Sequence, residues 1–197
     1  MQKPFLSFIF LLGTLMYAQD QKDLDYYAQI PDYPENYTPG TVVSRMIDGL
    51  GFRYYWATAE LRPEDLAYKP SETNRTIEET IDHIYGLSRV IYNSAIKEVN
   101  QRSNPKADTL DFAQKRAKTL ANFQKAAKIF LTAEDLTEHR VQFQNAEGVS
   151  DYPFWNQING PLEDAVWHCG QIVALRRASG NPFPAGVSVF RGVKRDN

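Results

Sequence analysis

The strongest constraint on this chain is the spacing of its apolar residues. In four segments they recur every three or four positions, the period of a helix with one buried face. The first segment runs over 41–61, with Val43, Met46, Ile47, Leu50, Tyr54, Ala57 and Leu61 in step. Gly49 and Gly51 weaken it or permit close approach by a neighbour, and Pro63 ends it. The second covers 76–99, with Ile77, Ile81, Ile84, Ile91 and Ala95 as its stripe. Thr76 followed by Glu79 forms a capping box at its start. The third covers 107–131, with Ala113, Ala117, Leu120, Phe123, Ala127 and Phe130 as its buried face and its Lys and Arg residues solvated. The fourth spans 161–179, opened by Pro161 and stopped by Gly180-Asn181-Pro182. Four helices joined by modest loops predict an all-α fold, a four-helix bundle.

The remaining stretches frame that bundle. Residues 1–19 carry Lys3, then an apolar run from Phe5 to Met16, then Ala18. That order reads as a secretory signal peptide. The run is too short for a stable membrane anchor. The expected location is therefore the periplasm or the extracellular space. Residues 20–40 are rich in Tyr, and Pro31, Pro34 and Pro39 break any helix there. They are expected to form an extended arm laid on the body. Residues 41–182 form the bundle and 183–197 an irregular tail. The loop 62–75 carries two prolines, and the alternating HRVQFQ stretch suits a short strand or an extended loop.

Charge and cysteine content exclude some functions. The formal net charge is -2, and the basic residues form no stripe, so no nucleic-acid partner is expected. A small-molecule substrate is the expected partner, and a homodimer is compatible with the sequence. Cys169 is the single cysteine, so no intrachain disulfide forms even in an oxidising compartment.

Helical geometry then sorts the polar residues. At about 100° per residue, Asp164 and His168 share one face of the fourth helix, and Gln171 continues it. Cys169 lies about 100° away, with no base on its own face, and is expected to be buried and unreactive. On the second helix His83 falls in the apolar arc, with Glu79 on the same side one turn earlier. Two inward histidines and one inward carboxylate suit a divalent metal, Zn, Ni or Fe(II), held by His83, Asp164 and His168. The bland alternative is an Asp164–His168 hydrogen bond with His83 as a satisfied core residue. Gln171 is the expected outer-shell or pocket residue. Glu79 is a candidate base or substitute ligand, although its capping role competes. A di-iron carboxylate site is excluded because the chain has no Glu-x-x-His. His139 is expected in a surface or loop position. Trp56, Trp155 and Trp167 are expected in the core or a pocket wall, and Gly170 at a close helix approach.

The segment DHIYGL around His83, together with D-x-x-x-H-x-G-Q-I and LRRASGNP on the fourth helix, resembles the DinB-like superfamily. The resemblance covers about residues 40–182. It implies a metal-binding four-helix bundle whose usual ligands are three histidines, one from the second helix and two from H-x-x-x-H on the last. His83 and His168 match two of these positions, and Asp164 stands at the third. The activities implied include metal-dependent hydrolysis, isomerisation and thiol-dependent transfer. A non-catalytic binding protein with a degenerate metal site is the alternative.

Overall fold

The computed structural model describes residues 25–101 and 110–195. The expected signal peptide, the first residues of the arm and the start of the third helical pattern lie outside these residues. The described chain is mostly helical, with two small antiparallel hairpins. Four long helices carry the core: α1 (Pro39–Ala57), α2 (Ile77–Ala95), α3 (Phe112–Leu131) and α4 (Glu163–Ala178). Helix α3 packs on α1 and α2, and α4 packs on the same pair. None of the described helices is long and apolar enough to cross a membrane.

Each of the first three helices begins with a side-chain cap that satisfies orphan N–H groups. Thr38, Thr76 and Asp111 are the N-caps, paired reciprocally with Thr41, Glu79 and Gln114. Pro39 therefore opens α1 instead of breaking it, because a residue in the first turn needs no N–H partner. Helix α1 stops at Ala57, short of 61, where Thr58 donates its hydroxyl back to the Tyr54 carbonyl at 2.7 Å. The buried Arg176 guanidinium takes the Trp56 and Ala57 carbonyls, both at 3.1 Å. A cation at that end also complements the helix dipole. Helix α2 likewise ends at Ala95, before Lys97 turns left-handed at φ 59°.

The apolar stripes are buried with local exceptions. Ile77, Ile81, Ile84 and Ile91 are fully enclosed, as are Phe123 and Phe130. Met46 and Ala113 are exposed and Ala117 half-buried. At that end of α3 the basic residues are not simply solvated. Arg116 is half-buried, donates to Thr58 Oγ1 at 2.9 Å and lies over the Tyr55 ring. The 62–75 loop contains a helical turn at Pro63–Leu66, and the tail forms a two-residue hairpin, Val187–Ser188 with Val193–Lys194.

The described part of the arm lies along α1. The Tyr27 ring is seated over Gly51, where an added Cβ would come within 2.5 Å of it. Its hydroxyl donates to the buried Asp48 carboxylate at 3.0 Å. Burial raises the Asp48 carboxyl to about 6, against the opposing pull of the Tyr27 hydrogen bond and the charges of Arg45 and Lys128. A raised acid binds its proton more tightly when folded. Stability should therefore rise by about 2–3 kcal/mol as pH falls from 7 through 6 toward 4. Urea unfolding at pH 7 and pH 4.5 should show this rise relative to Asp48→Asn. Equal pH slopes in the two proteins would exclude it.

The HRVQFQ stretch is strand β1 (Val141–Asn145), paired with β2 (Gly148–Tyr152) in a hairpin that the sequence pattern did not indicate. Asn100 ties it to the end of α2, donating its backbone N–H to the Gln142 carbonyl and accepting from Gln144. His139 is in a loop as expected but is buried, not on the surface. Its Nδ1 lies 3.2 Å from the Ser94 carbonyl, and its ring packs on Phe130.

Candidate metal centre

The site is built by α2 and α4. One turn of wider, π-type winding at Ile158–Leu162 runs directly into α4. Asp164 and His168, one turn apart on α4, face His83 on α2. His83 Nε2 lies 3.0 Å from Asp164 Oδ2, and His168 Nε2 lies 3.2 Å from Asp164 Oδ1. The two imidazoles meet edge to face, 4.6 Å between centroids. One ligand atom from each residue falls within a 4.8 Å cluster. The side chains of His83 and Asp164 are 34% and 33% exposed, and that of His168 is 12% exposed. They are thus held by protein yet open to a ligand. His83 is not a core residue: it stands in a cavity wall.

Gln171 is the second partner of His168: its side-chain amide lies 2.7 Å from Nδ1, the ring nitrogen turned away from Asp164. His168 Nε2 then faces a carboxylate oxygen 3.2 Å away. Two imidazole nitrogens and a carboxylate oxygen, one atom from each residue within 4.8 Å of the others, are the ligand types of a zinc-like site. The donor set and its spacing therefore fit a divalent metal. Outer-shell orientation of a ligating histidine by an amide or carbonyl oxygen is what such sites require.

A cavity of about 580 Å³ opens over the three residues. Its wall includes Thr73, Asn74 and Arg75 from the loop before α2, together with Gln171 and the apolar Ala174 and Leu175 from α4. No residue of the described arm lines it. A second cavity, about 390 Å³, shares His83 and extends toward Phe143 and Gln144 of the hairpin.

The other polar residues divide as follows. Glu79 is exposed, with its carboxylate accepting the Thr76 backbone N–H at 2.8 Å. It is bound into the helix cap and belongs neither to the cluster nor to the cavity wall. Cys169 is 2% exposed, and burial pushes its thiol up to about 12. The reactive form of cysteine is the thiolate, so this residue is inert as a nucleophile. It backs a separate apolar cavity on the other side of α4, lined by Val173 and Phe183. Gly170 is exposed with open space above it, not a close-approach point.

Trp167 and Trp155 correct the expectation of buried tryptophans, at 70% and 73% exposed; Trp56 is half-buried and donates to the Ala28 carbonyl. Trp167 instead stacks nearly parallel to His168, with 16° between the planes and 6.3 Å between centroids. The Thr73–Arg75 wall carried no periodic pattern in the sequence. Its one available clue was position, immediately ahead of the Thr76 cap and about two turns before His83.

Comparison of the chain with family models, with curated proteins and with solved structures finds no match. The functional reading therefore rests on the geometry of the site.

Proposed function

We propose that this chain is an exported four-helix bundle of the DinB-like kind that binds one divalent metal ion, Zn, Ni or Fe, through His83, Asp164 and His168. The observation that carries the reading is the arrangement around Asp164. Both histidines turn Nε2 to its two oxygens, while Gln171 occupies the outer nitrogen of His168. The bland alternative of an Asp164–His168 pair and an independent core His83 is disfavoured, because His83 is half-buried and bonded to the same carboxylate.

The reaction class this supports is a metal-dependent hydrolysis or a thiol-handling transfer on a small molecule in the cavity. A bound metal would supply Lewis acidity, polarising a substrate oxygen or sulfur or acidifying water. The chain's own residues do the rest. Gln171 hydrogen-bonds His168 Nδ1 and holds the ring with Nε2 toward Asp164. Asp164 orients both rings. Ala174 and Leu175 give the cavity an apolar patch.

Because a metal that binds only the folded state stabilises it, zinc at about 100 times its Kd should add about 2.7 kcal/mol. Thermal melting of the full chain with and without zinc reads this directly. Gln171→Leu should fold normally and bind zinc roughly 10–100-fold more weakly, the usual cost of losing an outer-shell partner. Unchanged melting of the wild type on adding Zn, Ni or Fe(II) would instead favour a non-catalytic binding protein with a degenerate site.

A further inference from the structure

The wall of the metal-site cavity carries an exposed cation. Arg75 lines it, and among the described residues it forms no ion pair. The cavity's one acid is Asp164, already engaged by both histidines. Beside Arg75, Asn74 uses its Oδ1 to accept from the Ser71 hydroxyl at 2.6 Å, which fixes the amide and leaves its NH₂ as a donor. Thr80 contributes no counter-charge, since its hydroxyl donates to the Thr76 carbonyl. The lining also has an apolar part, Ala174 and Leu175.

We infer that the cavity selects a small organic anion. Its oxyanion group, carboxylate or phosphonate, is held by the Arg75 guanidinium with the Asn74 amide beside it. Its apolar body lies on Ala174 and Leu175, and its reacting end faces His83, Asp164 and His168. Guanidinium is suited to this because its planar fork matches two oxygens at once. This assignment rests on the metal-site reading for what happens to the anion but not for its binding.

The test therefore uses metal-free full chain, titrated with phenylacetate, benzylphosphonate and the neutral isostere phenylacetamide. Binding is followed by the amide ¹H–¹⁵N shifts of Gln171, Ala174 and Leu175. At least one of the two anions should bind about tenfold more tightly than the amide, the lower end for a hydrogen bond to a charged group at an exposed site. The better anion names the oxyanion class. Arg75→Gln should remove that preference without changing phenylacetamide binding or zinc uptake, and Arg75→Lys should restore part of it. Equal binding of all three compounds, or a preference that survives Arg75→Gln, overturns the inference. Failure of the wild type to take up zinc overturns the metal-site reading alone, because the anion comparison is made without metal.

Discussion

Asp164→Ala is expected to abolish stoichiometric metal binding while leaving the fold intact. Asp164 is one third exposed and is not among the residues of the core cluster. Its removal takes away the group facing both imidazoles, at 3.0 and 3.2 Å. Two histidines without the carboxylate form an incomplete ligand set. The loss should exceed the roughly 10–100-fold that removing an outer-shell partner costs. The informative companion is Asp164→His, which restores the H-x-x-x-H spacing of the DinB-like pattern on the same helical turn. It should recover metal binding that Asp164→Ala lacks, with an apparent affinity that falls more steeply at acidic pH, since an added imidazole must lose a proton to ligate. Competition against a chromophoric zinc chelator measures all three proteins. If Asp164→Ala binds zinc as the wild type does, Asp164 is not a ligand.

The second large effect lies at the far end of α4 and concerns stability. Asp65 is fully buried and accepts five hydrogen bonds: from the Arg62 backbone, Nε and Nη2, from the Ser179 hydroxyl and from the Asn181 amide, at 2.6–2.9 Å. Asn181 also accepts from Arg176, which holds the last carbonyls of α1. One carboxylate thus ties the Pro63–Leu66 turn to the end of α4 and, through Asn181 and Arg176, to the end of α1. Asp65→Ala should cost about 3 kcal/mol. That is the low end of the roughly 3–5 kcal/mol for breaking a buried ion pair, because Arg62 is itself 43% exposed and solvent screens its share. The Arg62 hydrogen bonds, followed by those of Ser179 and Asn181, hold the Asp65 carboxyl well below the usual carboxylate range. A lowered acid stabilises the fold above its unfolded value, near 3.9, and loses that contribution as pH falls further. Urea unfolding should therefore show Asp65→Ala less stable at pH 7, with the gap to wild type narrowing below pH 4. A gap that stays constant with pH would contradict this account. Zinc uptake should be unchanged, since none of these residues lines the metal-site cavity.

The parts of this molecule that could be read from its sequence are those that depend on local periodicity. The isoleucine stripe of α2, the Thr76–Glu79 cap and the shared face of Asp164, His168 and Gln171 follow from 100° per residue alone. What was not legible depends on contacts distant in the chain. Arg176 looked like an ordinary basic residue near a helix end, yet it caps a helix that ends 119 positions earlier. His139 is buried because the loop before the hairpin folds under α2. Trp167 and Cys169 flank His168 by about 100° on either side, and packing against the body, not periodicity, leaves Trp167 exposed and Cys169 buried. The Arg75 wall has no period at all, and only the return of α4 alongside α2 makes it part of a cavity.

The most direct measurement is elemental analysis of the full chain purified without a polyhistidine tag, after equilibration with zinc and desalting, beside His168→Ala. The account predicts one metal ion per wild-type chain and none retained by the variant. Metal-free wild-type protein, or equal metal in both, would contradict it.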